Sequence, residues 1–599
     1  MGFIWVDGVT PLSAANLNEL LQLADAPAVV ADGIDEAIVS GALVEPINLA
    51  VAITGGTFNV LAYGAVANGA TDCTNAFQDT VNAAAAAGGG VVYVPSGTYY
   101  LSGVVQLADD ITVRGDGDTT VLSKRGAVSS GVIFQGASGS AQGYGAGPSR
   151  VVLERFRAVG SYAAAQTGCV AQLHHCRDVV VRDVVVDELI GGGHAFDLMG
   201  CDTVTFSRCT FLGVDGSRIF TEAIQTDFSQ ARGFTIADDP AGCDGLATIN
   251  VTVDGCSFLP KVVGGTSYYA PNPMGTHTGV EGSRPSGYRF TNNLVRGWQG
   301  DLTSAYAGAL HFAVGVDGLD IDGNVFENSG GQAGLAINLY RGAYLLPMDQ
   351  VQNPNPPAAP ESANPLVPLN TRITRNTFTG WTNAGVDAVN AIVQVQGDQR
   401  AGFPRADNVI IADNAFPTAG SGVATAPASY PVHVRYATRV RVTGNSTRYA
   451  SKGIWVRDAS QITITGNVVA DSTTTATDGG GIRCTAVDDL TCTGNTLTAV
   501  KDPLWFNACN RATISGNAAQ ALAGSSYGIY YTTSASVATI TGNVVTSTGT
   551  VTRGIYISNG ANNVVATGNT IVGAFTNPGV TTSGSTNVVV PAGSNATGT

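Results

Sequence analysis

Short alternating strands recur along the C-terminal half of the chain. Each copy ends in Thr or Ser, then Gly, then Asn, as in the segments VRVTGN, ITITGN, LTCTGN and ATISGN. A second short strand precedes each of these copies, as in GIWVRD and GIRCTA. The copies end at Asn445, Asn467, Asn495, Asn517, Asn543 and Asn569, with looser copies ending at Asn324, Asn376 and Asn414.

Successive copies are 22, 28, 22, 26 and 26 residues apart, and periods of this size are typical of solenoids, propellers or arrays. The chain lacks the Leu spacing of leucine-rich repeats and the 3.6-residue periodicity of helical repeats, and the period is too short for propeller blades of about 40 residues. Gly and Asn tolerate the left-handed backbone of a sharp corner. The repeat therefore predicts a right-handed parallel β-helix, with the Asn side chains forming a structural ladder from coil to coil.

Two helices are predicted outside the repeat. Thr10-Pro11 is a helix-start signal, and the apolar residues that follow it lie on one helical face, so we expect residues 1–55 to form a separate N-terminal module. A second helix is predicted from about Asp72 to the Gly88-Gly89-Gly90 break, where it would cover the open end of the solenoid. The β-helix domain is expected over residues 56–575, followed by a C-terminal tail or cap over residues 576–599.

Composition and charge exclude several classes of protein. The net charge of −15 argues against nucleic acid as a partner, because phosphates require a basic surface. No apolar run approaches the roughly 20 residues that a membrane span needs, and the N-terminus has no signal-peptide pattern. The ten Cys include no C-x-x-C pair, so we expect buried thiols rather than a zinc or redox site.

The stretch from Phe58 to Gly103 reads FNVLAYGAVANGATDCTNAFQDTVNAAAAAGGGVVYVPSGTYYLSG. It resembles the opening of the pectate-lyase-like β-helix superfamily, in which a Gly-Ala-Thr-Asp turn leads into an Ala-rich helix, a Gly-rich break and a Val-Pro-x-Gly-x-Tyr strand. The resemblance implies the same fold. The superfamily includes lyases, hydrolases, epimerases and inactive binders, so the resemblance leaves the activity open.

The first 24 residues, which include TPLSAANLNELL, resemble N-terminal segments of bacteriophage tail proteins. Together the two resemblances imply a phage tailspike or tail-associated depolymerase. Such proteins are usually homotrimers in the virion, held to other tail or baseplate proteins by the N-terminus. The expected ligand is a host cell-surface polysaccharide, and the absence of a signal peptide agrees with release of virions by lysis.

Strand alternation predicts which side chains leave the core on the strand that precedes each Gly-Asn copy. The outward residues combine aromatic rings with planar polar groups, which suit the C–H faces and hydroxyl rims of sugars. A subunit interface and burial under long loops are the alternatives. The predicted column, a candidate substrate-binding surface, contains His311, Asn338, His433 with Arg435, Trp455 with Arg457, Arg483, Trp505, Tyr530 and Tyr556, with Gln394 or Gln396 between them.

Titratable residues are denser in the N-terminal third of the predicted helix. They lie in four segments that we expect at the same strand position of successive coils, beside insertions near residues 230–245 and 259–275 that would form the wall of a cleft. Glu-Ala-Ile-Gln-x-Asp followed by a Gly-x-His coil resembles a pattern of pectate-lyase-like proteins. This resemblance implies only where the site lies, at Glu222, Asp227 and His277, and implies no mechanism. The segments contribute His194 and Asp197, Glu222 and Asp227, His277 and Glu281, and His311.

Glycoside hydrolysis needs two carboxyl groups, about 5 Å apart for retention or about 6.5–9.5 Å apart for inversion. Asp197, Glu222, Asp227 and Glu281 are the candidates. We prefer Glu222 as acid and Asp227 as base, with His277 and His311 orienting the substrate. The two positions differ by five, so a regular strand would place them on opposite faces unless a bulge or corner intervenes.

A lyase would instead use His277, His311 or Arg341 to abstract a proton and neutralise an acid group, with Ca²⁺ as an aid. Hydrolysis requires no cofactor, and no metal-binding residues are predicted. His194, Asn338 and Arg341 complete the substrate-binding candidates. The sequence thus favours a tailspike-like protein that binds and cleaves a host polysaccharide. The alternative is a receptor-binding or structural tail protein with the same fold and no catalytic activity.

Overall fold

The structure is a computed structural model. It describes residues 56–124, 131–160, 169–188, 194–214, 222–231, 239–276, 278–298, 308–328, 335–381, 391–417, 430–448, 453–471, 480–532, 537–558, 560–591, 593 and 595–598. The N-terminal module predicted at residues 1–55 lies outside them. Each coil of the described chain contributes strands that pair in parallel with the coils before and after it, which confirms the predicted parallel β-helix.

Sheet I contains the strand that precedes each Gly-Asn corner strand, and it carries the candidate site. Two of its strands, Ile454–Thr465 and Ile482–Thr493, continue through a bend into the next sheet. The other strands of sheet I are Val105–Gln106, Val132–Gly136, Cys169–His174, Phe196–Met199, Glu222–Asp227, Asn272–Thr276, Leu310–Phe312, Ile337–Leu339, Ala391–Gln396, Tyr430–Arg435, Leu504–Asn507, Tyr527–Thr532, Val551–Ser558 and Phe575–Ser583.

Sheet II contains the strands that lead into the Gly-Asn corners. It also includes the second halves of the two continuous strands. Its other strands are Thr57–Asn59, Gly90–Val94, Ile111–Gly115, Ser149–Glu154, Arg177–Arg182, Asp202–Ser207, Ile249–Asp254, Ser286–Thr291, Asp317–Asp322, Leu369–Thr374, Ala406–Ala412, Ala437–Thr443, Asn510–Ser515, Ala538–Thr541, Asn562–Thr567 and Thr586–Val589.

Sheet III follows each corner and closes the coil. Its strands are Asn68–Asp72, Gly97–Tyr100, Thr120–Ser123, Arg157–Val159, Val185–Asp187, Thr210–Leu212, Ser257–Leu259, Leu294–Arg296, Val325–Glu327, Thr377–Thr379, Ala415–Phe416, Ser446–Arg448, Val468–Ala470, Thr496–Val500, Ala518–Ala521, Val544–Ser547, Thr570–Val572 and Ala596–Gly598. The last strand of each sheet lies beyond residue 575 for most of its length, so the described part of residues 576–599 continues the solenoid rather than forming a separate unit.

The helix Thr74–Ala86 covers the N-terminal end of the solenoid, as predicted. Its apolar stripe, including Phe77, Val81 and Ala84, is buried against the first coils. The Phe77 ring packs edge-on against Tyr99 with 5.6 Å between centroids. The helix therefore covers apolar side chains of the first coil that would otherwise face water. Short 3-10 turns occupy Val60–Tyr63, Pro240–Gly242 and Met348–Gln350.

The predicted Asn ladder is present and extends in both directions. At Asn467 the backbone N–H and Nδ2 both donate to Oδ1 of Asn495, each at 3.0 Å, and Nδ2 also donates to the Val442 carbonyl at 2.8 Å. The preceding Gly466 has φ 64, a left-handed conformation that Gly adopts at little cost. The same pattern links Asn293, Asn324, Asn376, Asn414, Asn445, Asn467, Asn495, Asn517, Asn543, Asn569 and Asn595.

The core is a continuous apolar column inside the three sheets. Aromatic rings stack along the inner face of sheet III, where Phe326 lies 5.1 Å from Phe378 and Phe378 lies 4.8 Å from Phe416, nearly parallel in each pair. Nine of the cysteines are buried thiols in no disulfide. These thiols therefore act as small apolar side chains. Within the described residues, no helix is both long and apolar enough to cross a membrane.

Candidate functional site on sheet I

One outward position of sheet I is in register along almost the whole solenoid, and we call these residues the outward column. The predicted order from His311 to Tyr556 is confirmed, with Gln394 at the position between Asn338 and His433. The column also extends toward the N-terminus by residues that the sequence reasoning missed, although a Gln that directly follows apolar strand residues in VVQL, IFQG and AIQT was the available signal. It contains Gln106, Gln135, Gln172, Asp197, Gln225, Gly275, His311, Asn338, Gln394, His433, Trp455, Arg483, Trp505, Tyr530 and Tyr556.

The column has a largely buried upper part, from Gln135 to Trp455, and a half-buried lower part, from Arg483 to Tyr556, while Gln106 at its N-terminal end is exposed. Asn338 and His433 have no exposed surface, and His311 is 6% exposed. From Arg483 to Tyr556 the side chains are half-buried. Burial, one of the alternatives left open by the sequence, therefore applies to the upper part, because strand alternation shows which side chains leave the core but not whether other segments cover them.

Glu222 and His194 lie together on neighbouring coils. His194 Nδ1 donates to the Glu222 backbone carbonyl at 2.8 Å, and the same nitrogen is 3.7 Å from Glu222 Oε2. The Glu222 side chain packs against Gly275, where an added Cβ would lie 2.9 Å from its Cγ and 3.0 Å from Oε1. Gly275 occupies the column position between Gln225 and His311. The missing side chain at Gly275 therefore leaves room for a carboxyl group beside the column.

Asp227 leaves the sheet on the same side as Gln225, two residues earlier. Its Oδ1 accepts a hydrogen bond from Thr278 Oγ1 at 2.5 Å, and its Oδ2 accepts one from Gln225 Nε2 at 3.0 Å. Gln230 Nε2 in turn donates to Thr278 Oγ1 at 2.7 Å. Charge-assisted hydrogen bonds of this kind stabilise a carboxylate and fix its orientation.

Asp197 lies on the coil above Asp227. It pairs in register with Gln225, while Met199 pairs with Asp227. One coil of separation and two residues along the strand place the Asp197 and Asp227 backbones roughly 8 Å apart. Asp197 and Asp227 therefore share one region of sheet I. His277 lies outside the described residues, and Glu281 packs near Ser362, whose Oγ is 3.4 Å from its Oε1.

Insertions build a wall beside this acidic region. Residues that flank the 230–245 insertion and residues of a third insertion, together with Val280 and Val314, form a small apolar core separate from the solenoid core. The third insertion, around the antiparallel pair Gly342–Tyr344 and Glu361–Leu366, was missed in the sequence. A second antiparallel pair joins Lys261–Val263 to Thr266–Tyr268. The apolar core comprises Phe228, Ala247, Val280, Val314, Leu345, Leu346, Val351 and Leu366.

Arg341 belongs to an ion-pair network rather than to the outward column. Its guanidinium pairs with the fully buried Asp398 and lies 3.6 Å from the Glu361 carboxylate. Asp398 also accepts a hydrogen bond from Arg400 Nη2 at 2.7 Å. Burial of Asp398 acts to raise its pKa, but the hydrogen bonds from Arg400 and Arg341 outweigh this and lower the pKa to about 2. Arg341 is 9% exposed, so its geometry gives it a role in holding the third insertion.

Tyr430, His433 and Trp455 form an aromatic cluster in the middle of sheet I. The His433 and Trp455 rings lie 4.7 Å apart, and Tyr430 lies 4.8 Å from Trp455. Arg457 and Arg483 both approach the face of Trp455, with the guanidinium carbons 5.0 and 5.1 Å from the ring centre. Such contacts are favourable cation–π interactions.

Four further aromatic rings form a platform at the C-terminal end of sheet I. Trp505 lies 4.3 Å from Tyr530, and Tyr530 lies 6.0 Å from Tyr556. Tyr527, which the sequence reasoning missed, stacks on Tyr556 at 5.3 Å, and Arg553 covers Tyr556 at 4.4 Å. The four rings are each half-buried, so part of the platform is exposed to solvent.

Metal binding gains no support from the described part of the chain. No group of three or more His, Cys, Asp or Glu side chains there is arranged to hold an ion. The acidic region instead combines carboxylates with Gln, Thr and His, which are groups suited to binding hydroxyls and transferring protons.

Two family models match the chain. Residues 57–187 match the rhamnogalacturonase A/epimerase, pectate lyase-like family, and residues 391–571 match the right-handed β-helix region family. Among curated proteins, mannuronan C5-epimerase AlgE3 of Azotobacter vinelandii is 50% identical over 52 residues, and alginate lyase 7 of the same organism is 48% identical over 52 residues. Each match covers 9% of this chain and only 3% and 6% of those proteins, respectively.

Two solved structures are also similar. The surface adhesin PfbA of Streptococcus pneumoniae is 16% identical with a TM-score of 0.41, over 77% of this chain and 90% of that one. Tailspike protein 3 of bacteriophage CBA120 is 11% identical with a TM-score of 0.36, over 98% and 68% of the two chains. Neither likeness bears on activity. The parallel coils and the covering helix identify the chain as a right-handed parallel β-helix, and its residues 57–187 are similar to the pectate lyase-like family.

Proposed function

We propose that the protein is a phage tailspike-like depolymerase, which binds a host cell-surface polysaccharide along sheet I and cleaves it at the acidic region. The observation that carries the proposal is the outward column itself. Its planar polar and aromatic side chains repeat at the coil spacing of about 4.8 Å, a spacing close to one sugar unit of an extended glycan. Carboxylates at its upper end supply groups for acid–base chemistry.

In this proposal Glu222 is the general acid and Asp227 the general base. Asp227 is held by Thr278 and Gln225, and Glu222 lies within reach of His194. Asp197, whose backbone lies roughly 8 Å from that of Asp227, is the alternative partner of Asp227 in a two-carboxylate mechanism. His311 and His277 orient the sugar. A lyase mechanism on a uronate would use His311, and Ca²⁺ is then the expected aid.

The proposed biological setting is a virion, with the protein present as a homotrimer. Support comes from the resemblance of the first 24 residues to N-terminal segments of phage tail proteins. The partners are then phage tail or baseplate proteins at the N-terminus and the host polysaccharide at sheet I. Size-exclusion chromatography with light scattering tests the assembly, and a monomer in solution contradicts it.

A receptor-binding protein without catalytic activity is the second candidate function. It is favoured by one observation: Glu222 is only 1% exposed, so its carboxyl reaches a substrate only if neighbouring groups move. In that case the lower column binds the glycan and the upper carboxylates hold coils together.

The test is incubation of the full chain with host capsular or cell-wall polysaccharide. New reducing ends report hydrolysis, and absorbance of unsaturated uronates reports elimination. For a hydrolase, Glu222→Gln and Asp227→Asn should each lower the rate by about 10²–10⁴-fold. The matched control is Glu327→Gln, since Glu327 pairs with Arg296 on sheet III. Binding without new chain ends of either kind favours the second candidate.

A further inference from the structure

The third insertion contains a proline-rich segment whose exposure repeats every three residues. The segment reads NPNPPAAPE from Asn353 to Glu361 and has no helix or strand before Glu361. Its half-buried residues are Asn353, Pro356 and Ala359, and its exposed prolines are Pro354, Pro357 and Pro360. Polyproline II has about three residues per turn, so the segment has the periodicity of that helix, with one side against the protein. We call the line of Pro354, Pro357 and Pro360 the proline ridge.

Buried residues hold both ends of this segment. On the N-terminal side, Val351 belongs to the small apolar core, and Gln352 Nε2 donates to the carbonyls of Ala241 and Cys243 at 3.2 Å each. On the C-terminal side the segment enters the strand Glu361–Leu366, where Ser362 is buried. A segment whose conformation is already fixed loses little entropy when it binds. The proline ridge is therefore a preformed ligand of the kind that aromatic-lined grooves recognise.

The platform at the C-terminal end of sheet I matches the proline ridge in shape and length. The Trp505 ring is tilted by 33° to Tyr530 and by 70° to Tyr527, so the rings meet at angles that leave notches for proline rings. Trp505 and Tyr556 occupy column positions two coils apart, which is about 9.6 Å. One turn of polyproline II spans about 9.3 Å. Pro357 and Pro360, which lie beyond a bend at Pro354 and Asn355, therefore reach both ends of the platform when the segment runs along the solenoid axis.

The two surfaces are also complementary in charge. Arg553 lies over the Tyr556 ring at 4.4 Å and forms no ion pair with any residue that the structure describes. Asp349 is exposed, precedes the proline-rich segment, and likewise has no ion pair within the described ranges. Opposite charges at the rim of an interface favour one orientation of the partners.

The proline ridge and the platform of one molecule cannot meet. The third insertion follows the strand Ile337–Leu339, and Trp505 lies five coils further toward the C-terminus, a separation of about 24 Å. The hydrogen bonds of Gln352 hold the insertion in the opposite direction, against the loop of Ala241 and Cys243. A contact between the two surfaces is therefore a contact between copies of the chain.

We propose that the proline ridge of one copy docks on the platform of a second copy. The rings of Pro357 and Pro360 pack between the aromatic rings, and Asp349 faces Arg553. Copies that lie side by side at one level cannot make this contact, whereas an antiparallel pair makes it twice, since a two-fold axis exchanges the two surfaces. The contact is thus additional to a level homotrimer. It is also independent of polysaccharide cleavage, because no carboxylate of the acidic region takes part.

The first test titrates a synthetic peptide of residues 349–361 into the full chain by calorimetry. Saturable binding is expected, and a peptide with Pro357→Ala/Pro360→Ala should bind at least about tenfold more weakly, equal to about 1.4 kcal/mol. The matched control is a Pro356→Ala peptide, because Pro356 lies off the ridge, and its affinity should stay unchanged. No saturable binding, or equal binding of the ridge variant and the unchanged peptide, would overturn the proposal. These comparisons leave the folding of the chain untouched.

The second test follows association of the full chain by sedimentation velocity over a range of concentrations. The assembly present at the lowest concentration should associate further as the concentration rises. Both Pro357→Ala/Pro360→Ala and Tyr527→Ser/Tyr556→Ser should abolish this rise, while Tyr344→Ser, an exposed aromatic of the same insertion, should not.

An equimolar mixture of the two double variants should associate again, because one supplies an intact platform and the other an intact ridge. Absence of concentration-dependent association, unchanged association of both double variants, or a mixture that fails to associate would each refute the contact. Cleavage of polysaccharide is measured separately, so loss of this contact leaves the proposed function standing, and absence of cleavage leaves the contact standing.

Discussion

The Asn ladder offers the sharpest test of how the coils are held together. We consider Asn467→Ala at the middle of the ladder. The substitution removes the oxygen that accepts from the Asn445 backbone N–H at 3.0 Å and the amide that donates to the Val442 carbonyl at 2.8 Å. Both groups lie in the buried interior of the corner, where water does not replace the lost partner.

The expected cost follows from those two groups. A buried backbone group left without its hydrogen bond costs about 1–3 kcal/mol, so the pair predicts a loss of about 2–6 kcal/mol. Two control variants should lose less stability than Asn467→Ala. Asn577→Ala, at an exposed position of the last sheet I strand, should change stability by less than about 0.5 kcal/mol. Asn595→Ala, at the part-buried end of the ladder, should cost about half as much as Asn467→Ala.

Two measurements check the prediction. Urea unfolding gives the loss of global stability, and hydrogen exchange reports on the Asn445 amide directly. That amide should exchange faster by about two orders of magnitude in Asn467→Ala, while amides several coils away stay protected. If Asn467→Ala and Asn577→Ala have equal urea midpoints, and the Asn445 amide remains protected, the ladder contributes no net stability and the reasoning is wrong.

Three further predictions concern the site and its surroundings. Gly275→Ala should abolish activity and lower the melting temperature, because its Cβ would lie 2.2 Å from the His311 carbonyl oxygen and displace Glu222; an active, stable variant would contradict this. Burial acts to raise the pKa of Asp244, but the hydrogen bond from His175 and backbone N–H groups lower it to about 2. Asp244 therefore contributes about 2 kcal/mol above pH 4 that is lost as the pH approaches 2, and urea midpoints of Asp244→Asn and wild type should converge there. Burial, then Arg435 and Arg457, lower the pKa of His433 well below 6.5. The wild type should lose stability as the pH drops below 6.5, and His433→Gln should show a smaller slope in the same titration.

Much of the fold can be predicted from the sequence because each coil of a solenoid repeats the same short strands and the same corner. The residue before each ladder Asn from Asn293 to Asn569 adopts the left-handed conformation that the corner requires, and at most of these corners it is Gly. The strand on either side alternates between core and surface. The helix from about Asp72 to the Gly break was likewise readable from its apolar stripe and its end signals, and it runs from Thr74 to Ala86.

The acidic region could be predicted in its location and not in its contacts. Glu222 and Asp227 are five positions apart, so strand alternation places their side chains on opposite faces. The Glu222 carboxyl fits beside the column only because Gly275, 53 residues further along the chain, has no side chain. Arg341 was assigned to sugar binding because its partner Asp398 lies on a later coil, beyond a long insertion. Contacts of this kind depend on packing between segments that share no repeat.

The sequence could reveal which side chains are neighbours on sheet I, but not which of them are buried under insertions. Register between coils is fixed by backbone pairing, so knowledge of one outward residue per strand is enough to order His311, Asn338 and Gln394. Cover depends on insertions, whose lengths differ from coil to coil and whose apolar residues, such as Phe228 and Leu345, pack with one another. No period relates these residues. A β-helix sequence therefore reveals which side chains are neighbours on a face, and exposure of that face to a ligand has to be read from the packed structure.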